Sequence, residues 1–263
     1  MNGSENTAII TLCEKGLGTA RRIAVGFPES RIFVHQKVSG IRNDEQTFGE
    51  VIRLVSVIWR EYGNLVFVLP LGVAVRAIGC HVVNKHVDPA VVVADVGGRW
   101  AISLLCGHEG GANGLALRIS NILDAEPVIT TTGEAAKFLI VGVGCRRDTP
   151  CKEITDAVCH TFSRFQLNLS QVRLLASADI KKQEQGILEA SRILNVPVRF
   201  VSSAQLTQCP QEIGESPFVK EKVGLPGVAE PAALLAGRRT SLLVPKQKFR
   251  SVTIAVAKEN CTW

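Results

Sequence analysis

The chain has 263 residues, 46% of them hydrophobic and 21% charged, a globular balance that can bury a sizeable core without disulfides. Its net charge of +6 favours anionic partners, but 5% aromatic residues and the lack of a long Lys/Arg run argue against a nucleic-acid surface. No stretch reaches the roughly 18 uninterrupted apolar residues of a membrane helix, so no span is expected.

Short β-branched runs alternate with helical patterns, which predicts α/β layers. Thr7–Leu12 reads as the first strand, Lys15–Gly18 as a turn into a helix near Thr19–Val25, and Arg31–His35 as a second strand. Over Phe48–Trp59, Val51, Ile52, Val55, Ile58 and Trp59 recur at helical spacing. Leu65–Leu69 is fully apolar, the kind of strand buried on both faces of a parallel sheet. A turn at Gly72 and a short helix over Val73–Ile78 follow. Ala90–Ala94 and Trp100–Leu105 read as a hairpin turning at Val96–Gly98. Gly107–Gly111 is a loop opening a helix over Ala112–Leu123, and Val128–Thr131 closes this half.

The second half begins with strand Phe138–Val143, loop Gly144–Pro150 and a helix over Lys152–Phe165. Val172–Ser177 is a strand, Glu184–Leu194 a helix ended by Asn195 and Pro197, and Val198–Val201 another strand. Ser202–Gly227, with Ser216, is rich in Gln, Pro, Ser and Gly and reads as a long loop system. A helix at Ala229–Leu235 and strands Ser241–Val244 and Val252–Ala257 finish the chain. The expectation is two three-layer α/β domains with mostly parallel or mixed sheets, 1–134 and 135–263, divided within Thr132–Lys137.

Eight cysteines are scattered without a CxxC pair or a matching His ladder, which argues against zinc. The opening residues lack a basic start followed by an apolar run, so the expectation is a cytoplasmic protein with reduced thiols.

Two loops carry most of the chemistry. In Cys106-Gly-His-Glu-Gly-Gly-Ala-Asn113, glycines let backbone approach a ligand closely, and the helix-opening N–H groups suit a developing oxyanion. A histidine at such a mouth suits general-base work, and Asn113 suits orienting a carbonyl. The plain alternative is a helix-opening loop whose histidine only caps backbone groups. In Gly144-Cys-Arg-Arg147, a strand again meets a glycine turn, now with two guanidiniums that suit carboxylates. Cys145 reads first as a small buried thiol and second as a nucleophile. Neither loop fits a nucleotide fingerprint, and Gly142-Val-Gly144 lacks the third glycine. Arg76, Asp88, Lys181, Glu184 and Glu230 are further candidates, each with an ordinary turn or helix-end reading beside it. His81, Lys85 and His86 form a small basic cluster that reads more simply as a solvated loop.

Seven segments together resemble the cobalt-precorrin-5A hydrolase (CbiG) family. In the first half they are LPLGVAVRAIG (69–79), DPAVVVADVGGRWAISLLCGHEGGANGLA (88–116) and PVITTT (127–132). In the second they are VGVGCRR (141–147), ASADIKKQEQGILEA (176–190), SPFVKEKVGLPGVAEPAALL (216–235) and LLVPKQKFRSVTIAVA (242–257). Longer family members carry a middle segment where Gly133–Lys137 joins the halves directly here, so the chain is a compact version. Glu109 stands where a neutral or apolar residue is more usual.

The resemblance implies a cobalt-bound, carboxylate-bearing tetrapyrrole whose ring-A δ-lactone is opened with release of acetaldehyde. It implies no cofactor of the protein's own, the cobalt arriving within the substrate; no metal site of the protein is expected, and ligation of that cobalt by His81, His86 or His108 stays open. His108, Asn113 and Glu109 then form the expected catalytic set. Arg76, Gly107, Gly110, Gly111, Cys145, Arg146, Arg147, Lys181, Glu184 and Glu230 form the expected binding set, the two loops holding one macrocycle. Monomer and homodimer stay open, as does hand-over from the pathway's methyltransferases. The rivals are a non-catalytic tetrapyrrole carrier and a phosphate-binding α/β enzyme, the latter weakened by the missing phosphate-loop lysine.

Overall fold

The computed structural model describes residues 6–208 and 227–260, and the chain divides into two compact units, Met1–Thr131 and Thr132–Trp263. Among the described residues no helix is long and apolar enough to cross a membrane.

In the first unit, seven strands form one sheet: β1 (Thr7–Thr11), β2 (Arg31–His35), β3 (Gln46–Phe48), β4 (Asn64–Val68), β5 (Ala90–Ala94), β6 (Trp100–Leu105) and β7 (Glu126–Val128). Their order is β3-β2-β1-β4-β5-β6-β7. The first five in that order run parallel; β6 returns antiparallel to β5, and β7 runs parallel to β6. Alternating residues feed two cores. Ile9, Val66, Val68 and Val92 face helices α1 (Glu14–Val25) and α4 (Ala112–Leu123), while Ile10, Leu65, Phe67 and Val93 face α2 (Val51–Ile58) and α3 (Leu71–Ile78). This is a three-layer arrangement in which apolar strands are covered on both faces.

The second unit opens with α5 (Thr132–Ala135) and repeats the plan around β8 (Leu139–Cys145), β9 (Val172–Ala178), β10 (Val198–Val201), β11 (Thr240–Lys248) and β12 (Val252–Glu259), in the order β10-β9-β8-β12-β11. Strands β8, β9 and β10 are parallel, and β12 and β11 add antiparallel neighbours beyond β8. Helices α6 (Cys151–Arg164) and α7 (Gln185–Leu194) cover one face. On the other lie α8 (Ser203–Thr207) and α9 (Ala229–Leu235).

The alternation of strands and helices therefore gave the right class, and the differences are local. Lys15–Gly18 is already helix, because Gly16 is there for close approach: a Cβ on it would lie 2.2 Å from Thr11 Oγ1. Gly72 likewise sits inside α3 rather than in a turn before it. Three-residue β3, at the sheet edge, was too short to leave a period-2 signal. The hairpin at β5–β6 is real, its turn fixed by Asp95, whose carboxylate accepts N–H groups from Gly97, Arg99 and Trp100. The expected Ser202–Gly227 loop begins with α8, and the rest of it, including Ser216, lies outside the described residues.

Candidate functional site

The glycine loop of the first unit leaves the end of β6. Because Leu105 pairs with Val91 at the start of β5, the loop emerges where β4 and β5 begin, opposite the edge that usually serves open parallel sheets. The loop is drawn tight on itself. Cys106 holds a left-handed φ of 58°, and its carbonyl oxygen accepts the N–H groups of Gly110 (3.1 Å) and Ala112 (3.2 Å). Gly110 must be glycine here, since a Cβ would come within 2.4 Å of the Cys106 Cβ. Gly111, at φ 86°, turns the chain into α4.

Asn113 anchors this loop from beneath. It is buried, its Oδ1 accepts from Ser103 Oγ at 2.8 Å, and its Nδ2 donates to Thr131 Oγ1 at 2.9 Å. Gly107 fits against both partners; a Cβ would lie 2.7 Å from Thr131 Cγ2 and 2.8 Å from Asn113 Oδ1. The amide thus ties β6, the segment after β7 and α4 together, instead of facing solvent as an oxyanion donor. The first two helix N–H groups are spent too, Ala112 on Cys106 and Asn113 on Gly107 (3.0 Å).

This scaffold presents His108 to solvent, and the imidazole makes no side-chain hydrogen bond among the described residues. Beside it, Glu109 forms an ion pair with Lys85, whose hydrogen bond is the main reason the carboxyl is held below its ordinary range. Lys85 lies on the loop after α3, the very cluster that the sequence reads as plain solvated loop. Asp88 organises that loop: it is buried, and its Oδ2 accepts the N–H groups of Val83 and Asn84, both at 2.8 Å. Ser103 and Thr131 were missed, and Lys85 was read only as solvated loop, because their partners lie 10, 18 and 24 residues away, beyond any local period. Arg76 lies in the helix that the sequence predicts over Val73–Ile78. It is exposed in the last turn of α3, with Nη1 donating to the Gly72 carbonyl at 3.2 Å.

In the second unit, the ends of β8 and β9 bring separate segments together. Gly144 and Cys145 close β8, Arg146 N–H donates to Ser251 O at 3.0 Å, and Thr149 Oγ1 donates back to Arg146 O at 2.8 Å. Lys181 and Glu184, from the turn after β9, form a nearly buried ion pair at 2.8 Å. Both charges act on the half-buried Cys145, whose thiol burial pushes up to about 11, Lys181 opposing the rise and Glu184 adding to it. Gly186 seats α7 against this loop, as a Cβ would lie 2.0 Å from Thr149 O. Arg146 and Arg147 are exposed, Arg147 only 3.9 Å from Asp148 at its nearest carboxylate oxygen. Glu230 departs from its expected binding role: it is buried, and its Oε1 accepts the Lys246 N–H at 2.9 Å, bracing α9 to β11.

The raised thiol makes a direct prediction. At pH 8 only about one Cys145 in a thousand is thiolate, so iodoacetamide should label exposed Cys80 and Cys159 well before it. Peptide mapping across pH checks this, with Cys145 labelling climbing only as the pH approaches 11. Rapid labelling at neutral pH would restore the nucleophile reading. No three His, Cys, Asp or Glu side chains among the described residues gather as a metal set.

A family model described as Cobalamin synthesis G N-terminal matches residues 53–134, and one described as Cobalamin synthesis G C-terminus matches residues 139–257. The chain is similar to a cobalt-precorrin-5A hydrolase of Priestia megaterium, at 24% identity covering 95% of this chain and 94% of that protein. It is also similar to a cobalt-precorrin-5A hydrolase of Salmonella typhimurium, at 23% identity covering 96% and 97%. Protein CobE of Sinorhizobium sp is 34% identical over 48% of this chain and 83% of its own length. The Priestia alignment runs over 353 positions, more than the 263 residues here, so that relative has residues with no counterpart in this chain.

Proposed function

The chain belongs to the cobalamin synthesis G (CbiG) family, and from that premise we propose that it is a cobalt-precorrin-5A hydrolase that opens a ring-A δ-lactone and releases acetaldehyde. The hydrolase role rests on relatives of that name aligned over nearly the whole chain. The chemistry rests on one observation, the exposed imidazole of His108 on a loop that Cys106 and Asn113 hold fixed.

In this reading His108 takes a proton from water as the water attacks the lactone carbonyl. Water adds across the lactone C–O bond, leaving a carboxylate and an alcohol. Loss of the alcohol proton then turns its C–O into the aldehyde carbonyl as the bond to the ring breaks. The electron pair passes to the macrocycle, whose bound cobalt belongs to the substrate, and a proton quenches it. Glu109, whose carboxylate acts directly on His108, steadies the imidazolium that forms next to it. Asn113 positions the loop rather than touching the substrate. In the second unit, exposed Arg146 and Arg147, the latter only loosely paired with Asp148 at 3.9 Å, suit carboxylates. The reaction runs in the cytoplasm without a resident cofactor, on substrate handed over by the pathway's methyltransferases.

The test is to incubate the purified chain with authentic cobalt-precorrin-5A and weigh the product. Acetaldehyde and a macrocycle lighter by the two-carbon unit are expected. An intermediate that is bound and returned at unchanged mass would make the protein a carrier.

A further inference from the structure

The loop between α3 and β5 exposes apolar side chains that the fold does not cover. Val83 and Val87 are 79% and 76% exposed, and Val82 is 43% exposed. Branched apolar groups in water forgo the stabilisation that burial gives. A slack loop would fold them away, but this one is pinned. Asp88 takes two of its N–H groups, Asn84 Oδ1 takes the N–H of His86 at 3.0 Å, and Asn84 O takes those of Val87 and Asp88 at 3.0 and 2.9 Å. Between the valines stands Lys85, joined to Glu109 and so to the His108 loop.

We propose that this loop is the substrate grip of the first unit: Val83 and Val87 lie against the apolar face of the macrocycle, and Lys85 leaves Glu109 for a peripheral carboxylate. The proposal rests on the functional reading above and adds to it the element that binds. Its occupant follows from the loop's chemistry. Apolar groups flanking one ammonium complement a body that is apolar in its ring and anionic at its rim. The sharing of Lys85 with Glu109 is a 60% and 31% exposed pair, weak enough for an incoming carboxylate to displace.

The experiment uses the full chain and uroporphyrin III, a planar octacarboxylate, as the probe, with quenching of its fluorescence as readout. The double substitution Val83→Ser/Val87→Ser should weaken binding by about tenfold, and Lys85→Gln by roughly threefold to tenfold, at unchanged melting temperature. Lys85→Arg should recover most of the lost affinity. With cobalt-precorrin-5A, the same variants should raise KM far more than they lower kcat. Binding and KM within twofold of the parent for both variants would overturn the proposal. So would a parent dimer, seen by sedimentation, that the valine variant turns into monomers, since the valines would then meet a second copy. A parent that binds the probe through this loop yet releases no acetaldehyde would sink the hydrolase reading and leave the grip standing.

Discussion

Replacing His108 with alanine is expected to lower acetaldehyde release by roughly 10²–10⁴-fold, the range that one positioned general base contributes. The structure makes this a clean substitution. The imidazole is exposed and holds no other group in place, while the loop's shape comes from the Cys106 carbonyl, Gly110, Gly111 and buried Asn113. His108→Ala should therefore melt with the parent and bind the macrocycle as well, so that the loss falls on kcat. Coupling released acetaldehyde to an alcohol dehydrogenase gives the rate directly. Added imidazole should restore part of it, which a merely structural histidine would not allow. Undiminished release would remove His108 from the mechanism and shift attention to the Lys181–Glu184 pair of the second unit.

How far the sequence carried depends on the distance over which each feature is encoded. Strands such as Thr7–Thr11 and helices such as Ala112–Leu123 were legible because their apolar periods are local, and Ala229–Leu235 was read to the residue. The glycine loop and the arginine turn were legible as glycine-rich strand exits. The supports beneath them were not. Nothing near Asn113 announces that Ser103 and Thr131 will engage both ends of its amide, and an Asp-Pro pair does not reveal that Asp88 will be buried as a loop organiser. Exposure is equally non-local: the sequence offered Glu230 and Arg147 as similar charged candidates, and folding buried the first and left the second 91% exposed. Gly72 shows a smaller error, in which a glycine read as a turn proved to lie in the first turn of the helix that carries Arg76.

The same blindness explains why Gly142 looked like half of a dinucleotide fingerprint, and it yields the largest expected effect on stability. Gly142 lies in the middle of β8, between Ala255 of β12 and Ala176 of β9. Helix α9 crosses it at backbone contact: an added Cβ would stand 1.8 Å from the Ala229 carbonyl oxygen and 3.0 Å from the Ala233 Cβ. The obstacles are main chain of Ala229 and the Cβ of Ala233, so no rotamer change relieves them. Ala176, Ala232, Ala233 and Ala257 continue this small-residue seam, which is why the helix sits so close. Gly142→Ala should destabilise the second unit by about 3 kcal/mol, at the upper end for overpacking, and lower its melting temperature by roughly 10 °C or more. Gly144→Ala is the internal control, because its Cβ would meet Val228 at an ordinary 3.6 Å. Thermal unfolding followed by circular dichroism separates the two. Equal melting temperatures for both variants would mean that α9 can lift off the sheet, and with it the brace that Glu230 makes to β11.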